Sequence, residues 1–266
     1  MQFALNYSPQ AAELLRAGRI QFDLYKCPDW PDLIEEAQAQ APAYVHFPLI
    51  AGQRNIDAVG LDRIEALLAQ TGTHFVNTHI APRYEDLDNP DDPDEVVRRV
   101  LDDVLPLVER FGAERVIVEN IPFPDFDDAK PRTVILPQVI RRIIQESGCG
   151  FLLDIGHARL TSEYLGIDTR DYITQLPVER LCEVHITGIG LSPEGQRNDH
   201  MPMTGEDWSL LEWALMSIRR GMWGRPRIVA CEYGGVGEMF AWRSSAAVML
   251  EDVPRMYGLI RQIQMA

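Results

Sequence analysis

The sequence predicts a single α/β domain over residues 1–266, an eight-stranded parallel (β/α)8 barrel. Three observations carry this expectation. Short apolar runs alternate with longer amphipathic segments, as repeated strand–helix units require. The chain has 266 residues, 46% of them hydrophobic, close to the roughly 250 that such a barrel needs. No Gly-, Ser- or Pro-rich linker divides it, and no internal repeat shows. An open doubly wound sheet is the alternative. No GxGxxG follows the first apolar run, which weakens the dinucleotide-binding form of that sheet.

The elements follow in order. Strands are expected at Phe3–Asn6, Ile20–Tyr25, Ala43–Phe47, Phe75–His79, Arg115–Glu119, Gly150–Asp154, Leu181–His185 and Arg227–Glu232. Helices are expected first at Pro9–Ala17, Trp30–Ala39, Asp57–Gln70 and Pro93–Phe111. Leu136–Glu146, Arg170–Leu176, Glu206–Arg219 and Ser244–Gln264 complete the set. Leu61, Ile64, Leu67 and Leu68 have the i, i+3, i+4 spacing of a buried helix face. Gly72, Gly112 and Gly148 stand where helices end. The acidic run YEDLDNPDDPDE, residues 84–95, reads as a solvated loop whose Asp and Pro start the next helix.

The net charge of −15 argues against a broad phosphate-tracking surface, because nucleic-acid binders carry a basic stripe. Cys27, Cys149, Cys182 and Cys231 lack CxxC spacing. They read as reduced, apolar strand residues rather than a disulfide framework. No run approaches the roughly 18 apolar residues of a membrane span. The N-terminal MQFALNYSPQ lacks the basic and apolar regions of a signal peptide. The expected compartment is the cytoplasm.

The chemistry gathers at the strand ends. The third strand ends in AYVHFP with His46, the fourth in VNTHIAP with His79 and the fifth in VIVENIP with Glu119. The sixth ends in LLDIGHA with Asp154, the seventh in EVHITG with His185 and the eighth in VACEYGG with Glu232. In a barrel these ends share one mouth, where active sites form. One such residue is ordinarily a satisfied structural group; six on successive strands point to a metal. Carboxylates and imidazoles suit manganese, zinc, iron or cobalt. His157, three residues after Asp154, is a ligand, an orienting group or an acid/base. NDHMPMTGEDW adds Asp199 and His200. Five of the six histidines fall in these places; His74 is the exception. His46 and His79 have a supporting role as their alternative, and Asp199 and His200 a loop-capping one.

The set VENIP, LLDIGHA, EVHITG and VACEYGG resembles the xylose isomerase-like barrel superfamily, also called the AP endonuclease family 2 group. The resemblance covers nearly the whole chain and implies the TIM barrel and a divalent metal. It leaves several reactions open. Resemblance to the sugar epimerases implies Glu119, Asp154, His185 and Glu232 as ligands. The two glutamates would also move the proton, and His157 would contact substrate. Resemblance to endonuclease IV implies a three-zinc set that His46, His79, Glu119, Asp154, His157, His185, Asp199 or its neighbour, His200 and Glu232 nearly reproduce in order. There the acidic residue stands two before the loop histidine; here that place is Asn198. The iron-dependent oxidative enzymes that modify peptides share the early histidines and a loop like HMPMTGEDW, but show Asn where His157 stands.

The leading expectation is a metal-assisted isomerase or epimerase for a small, carbohydrate-like substrate, with one to three ions per chain. A multinuclear iron or zinc enzyme is the alternative, and a non-catalytic binding barrel the third reading. Arg83 and Arg159 are candidates to hold an anionic group, and Trp208 and Tyr233 to stack on substrate. Packing is the preferred reading of these aromatics and of Trp242, with stacking as the substrate-binding alternative; solvated charge is the alternative for Arg83 and Arg159 and the preferred reading of Arg197. Nucleic acid and membrane are not expected partners; an oligomer is possible.

Overall fold

Prolines and short polar residues start the helices of this chain, and glycines end several of them. The computed structural model describes residues 1–124, 129–193 and 195–264. In chain order the elements are β1 (Gln2–Asn6), α1 (Pro9–Arg16), β2 (Leu24–Cys27), α2 (Pro31–Gln38), β3 (Ala43–Val45), β4 (Ile50–Ala51), α3 (Ile56–Val59), α4 (Leu61–Thr71), β5 (Val76–Ile80), α5 (Pro93–Phe111) and β6 (Val116–Glu119). Then come α6 (Pro137–Ser147), β7 (Gly150–Asp154), α7 (Ile155–Leu165), α8 (Thr169–Gln175), β8 (Leu181–Ile186), β9 (Gly188–Leu191), β10 (Arg197–Met201), α9 (Gly205–Arg219), β11 (Ile228–Cys231), α10 (Glu238–Ala241) and α11 (Ala246–Gln264). Ser8 accepts from the Ala11 N–H ahead of Pro9, and Asp92 accepts from Asp94 ahead of Pro93; each meets a donor that the helix leaves open. Gly72 and Gly148 end α4 and α6 at φ 70° and 72°, in the left-handed region.

Two units divide the chain, Met1–Val45 with Glu183–Ala266, and His46–Cys182. In the first, parallel strands run in the order β3, β2, β1, β11, β8. Ala4, Leu24, Tyr44, Ile228 and Ala230 form a buried cluster on one face. An antiparallel pair, β9 and β10, follows β8. In the second unit the parallel order is β7, β6, β5, β4. Phe75, Ile117 and Leu152 pack there with Cys182 beside them. Burying a side chain such as Phe75, Ile117 or Leu152 contributes about 1.5–3 kcal/mol.

All eight expected strands are present; Gly150–Asp154 has the expected bounds and the others are shifted. β2 runs later than expected, so Lys26 belongs to it. The helix expected at Asp57–Gln70 is two, α3 and α4, because Gly60 takes φ 82° between them. The chain enters α7 directly after Asp154, where a loop was expected. β4 and the β9–β10 hairpin were not foreseen.

Candidate metal centre

In the second unit three strand ends deliver the chemistry. Glu119 is the last residue of β6 and Asp154 the last of β7, and both are buried. Residue pairing sets His79 opposite Glu119. Asp154 is also the N-cap of α7: its Oδ1 accepts from the His157 N–H at 2.7 Å. Asn120 clamps this corner. Its side chain accepts from the Asp154 N–H and donates to the Asp154 carbonyl, each at 2.9 Å. The Asn120 carbonyl lies 2.8 Å from His157 Nδ1. A carbonyl has no proton to give, so Nδ1 carries a proton, and in the neutral ring Nε2 holds the lone pair. That Nε2 lies 3.7 Å from Asp154 Oδ2. A backbone acceptor that fixes the ring in this way is the usual support of a metal-binding histidine.

Two more imidazoles reach Glu119. His79 Nε2 lies 3.2 Å and His46 Nε2 3.5 Å from its Oε2. The rings of His46 and His79 meet edge-on at 5.4 Å, and those of His79 and His157 lie 6.4 Å apart. Asn77, whose Oδ1 accepts from the Phe47 N–H, points its amide nitrogen at His46 Nε2, 3.1 Å away. Glu119, Asp154 and His157 each bring a donor atom within 4.8 Å of the other two. Two buried carboxylates this close repel each other and lose hydration, which a cation relieves. The donor set, two carboxylates and an imidazole, fits a divalent metal.

The first unit carries a second buried array. His185, near the end of β8, places Nε2 2.9 Å from Glu183 Oε1. The Tyr44 hydroxyl donates to that same oxygen at 2.7 Å. His185 Nδ1 lies 3.1 Å from Glu232 Oε1, and Lys26 Nζ donates to Glu232 Oε1 as well. Burial pushes the Glu232 carboxyl up, but the positive charges of His185 and Lys26 outweigh this and hold it well below the usual carboxylate range. His200, at φ 54°, sets Nδ1 against the Glu232 carbonyl. Arg243, buried beside Phe240, donates to the Asp199 carbonyl at 3.1 Å.

The four residues expected to bind substrate have local partners. Arg83 is exposed beside Glu85, and Arg159 is buried and donates to Glu163 at 3.2 Å. Trp208 is buried under the Arg255 guanidinium at 3.8 Å. The Tyr233 hydroxyl accepts from the Ser245 N–H. The described cysteines are free, and burial pushes Cys149 up to about 11 and Cys27 and Cys231 to about 12, which makes them poor nucleophiles. Sequence reasoning missed Lys26, Tyr44, Asn120 and Glu183. Glu183 carried a signal, since two residues before His185 it shares that residue's face of the strand.

The family described as "RiPP precursor modification enzyme MbnB/TglH/ChrH" has a sequence model that matches residues 29–221. A UPF0276 protein of Acaryochloris marina is 24% identical over 173 residues, 65% of this chain and 54% of that protein. One of Rhizobium meliloti is 25% identical over 145 residues, 52% of this chain and 46% of that protein. The chain thus spans about half the length of the curated relatives it matches. Among solved structures, D-psicose 3-epimerase in the presence of D-fructose is similar with a TM-score of 0.61 at 14% identity, all of both chains covered. Endonuclease IV from Thermus thermophilus is similar with a TM-score of 0.52 at 13% identity, over 100% of this chain and 99% of that one. These structural likenesses show the fold, an α/β TIM barrel. No described helix is long and apolar enough to cross a membrane.

Proposed function

We propose, on the premise that this chain belongs to the family of RiPP precursor modification enzymes MbnB/TglH/ChrH, that it modifies a peptide at a centre of two or more metal ions. The single observation that carries this reading is the crowding on Glu119. Two imidazoles, His46 and His79, approach its Oε2 beside the Asp154–His157 pair. Isomerisation at one ion needs neither histidine. Iron is the ion we propose, in line with the resemblance to the iron-dependent peptide-modifying enzymes.

Glu119, Asp154, His157, His46 and His79 would hold metal in one unit; His185, Asp199, His200 and Glu232 are the candidates of the other. A bound ion supplies Lewis acidity to an oxygen, nitrogen or sulfur of the substrate. The rest is the work of the chain. Asn120 fixes the His157 ring, so that Nε2 is ready without a change of tautomer. Asp154 spends one oxygen on the α7 cap and keeps the other toward His157. The His46 and His79 side chains are 16% and 27% exposed, against 1% for Glu119. Substrate therefore approaches on the side of the two histidines.

A second reading is a sugar isomerase or epimerase with Glu119 and Glu232 as proton-transfer groups. Its support is the ionised state in which Lys26 and His185 hold Glu232, the state a base must have. The net charge of −15 speaks against abasic DNA as substrate.

Elemental analysis of protein purified without oxygen, added metal or chelator decides between these readings. We expect about two or more irons per chain, with His46→Ala and His79→Ala each losing about one. One ion per chain that both variants retain would overturn the multinuclear reading and favour the sugar reading. Zinc, with tight binding of an abasic duplex at physiological salt, would overturn both.

A further inference from the structure

We propose that Lys26 is a resident cation of Glu232: its ammonium, not a metal ion, occupies that carboxylate, so Glu232 is not a metal ligand. The inference rests on the metal-dependent reading above and changes the role of one expected ligand.

The placement is specific. Lys26 pairs with Asn6 of β1, and Leu5 of β1 pairs with Cys231 of β11, next to Glu232. Lys26 therefore reaches across one intervening strand, a span of about 10 Å between the flanking strands. Only a long cationic stem covers that distance. Lys26 and Glu232 are both buried. An ammonium and a carboxylate in such a place are each costly alone and tolerable as a pair. Glu232 Oε1 receives the ammonium and also lies 3.1 Å from His185 Nδ1. A metal ion at this oxygen would have to displace the buried ammonium. The Glu119 cluster is built differently: the groups that approach its carboxylates are imidazoles, which bind a metal through a lone pair.

The test compares metal content and thermal melting of the full chain across four variants. E232Q is expected to keep the metal-to-protein ratio of the unaltered protein. K26M takes the ammonium from the buried Glu232 carboxylate and leaves His185 beside it. In chelator it should melt about 10 °C lower. With millimolar manganese it should take up about one ion more than the unaltered protein does, and its melting temperature should rise by more than that of the unaltered protein. K26R keeps a positive charge and should take up no extra manganese. K26M/E232Q removes both charges and should melt near the unaltered protein, with no extra manganese. Loss of about one ion in E232Q would overturn the assignment. So would a K26M response to manganese equal to that of the unaltered protein. If K26M does not fold, E232Q and the double variant carry the decision. An unaltered chain that holds no metal would defeat the functional reading and leave the melting comparison standing. A loaded chain whose E232Q variant is short of one ion would defeat the Lys26 assignment alone.

Discussion

Asp154 performs two tasks that substitution can separate. One oxygen caps α7 through the His157 N–H, and the other faces His157 Nε2. Asparagine caps a helix about as well as aspartate but has no anionic charge for a metal. Asp154→Asn should therefore hold apo stability within about 1 kcal/mol and lose bound metal, whereas Asp154→Ala should lose the metal and about 1 kcal/mol more. Chemical unfolding in chelator, with elemental analysis of the untreated proteins, checks both; a metal content untouched by Asp154→Asn would remove Asp154 from the ligands. Glu119→Gln should cost more metal than either early histidine variant, because His46 and His79 both converge on that carboxylate. These residues were legible in the sequence because a charged group that ends an apolar strand is rare without a purpose. Asn120 was not, since an amide after a glutamate has many ordinary roles; only its bonds to Asp154 and His157 reveal the clamp. Lys26 was hidden because the expected strand stopped one residue before it.

Among the elements, α7 was the one the sequence hid most. Gly156 and the polar residues of the run resembled a turn, and the cap that starts the helix is the candidate ligand itself. The strand–helix alternation was legible because parallel strands need apolar runs and their helices an apolar stripe. The hairpin of β9 and β10 was not, because GIGL and RNDHM carry no alternating pattern. Helix α6 is tied to the end of α8 by Arg141, which donates to the Gln175 and Leu176 carbonyls and to both oxygens of Glu179. Partial burial pushes the Glu179 carboxyl up, but the Arg141 contacts prevail and hold it below its ordinary value. A depressed carboxyl stabilises the fold above its unfolded pKa of about 4.3 and loses that effect as pH falls through its folded value. Glu179→Gln should flatten the acid limb of the stability curve below about pH 5, with the two curves converging at lower pH. The pair is solvent-screened, so the gap at neutral pH should be under about 1 kcal/mol. Urea unfolding across pH measures it, and parallel curves would place the acid sensitivity elsewhere.

At the scale of the whole molecule, metal and stability are linked, because an ion that binds only the folded chain adds its binding free energy to folding. At a free metal concentration about one hundred times the dissociation constant, that addition is about 2.7 kcal/mol. For a chain of this size it corresponds to about 5–10 °C in melting temperature. A chelator should therefore lower the melting temperature by about that much, and iron or manganese should restore it. The loss should be uneven along the chain. Glu119, Asp154 and His157 belong to β6, β7 and the first turn of α7, where metal removal leaves two buried carboxylates in mutual repulsion. Amide hydrogen exchange should accelerate first at the start of α7 and at the ends of β6 and β7, and least in β1 and β2, whose strands lie in the other unit. Salt should change this difference little, since the carboxylates are buried and screening acts on exposed charge. Acceleration spread evenly over both units, or confined to the exposed acidic segment at residues 84–95, would mean that the ions stabilise the chain by some route other than the Glu119–Asp154–His157 corner.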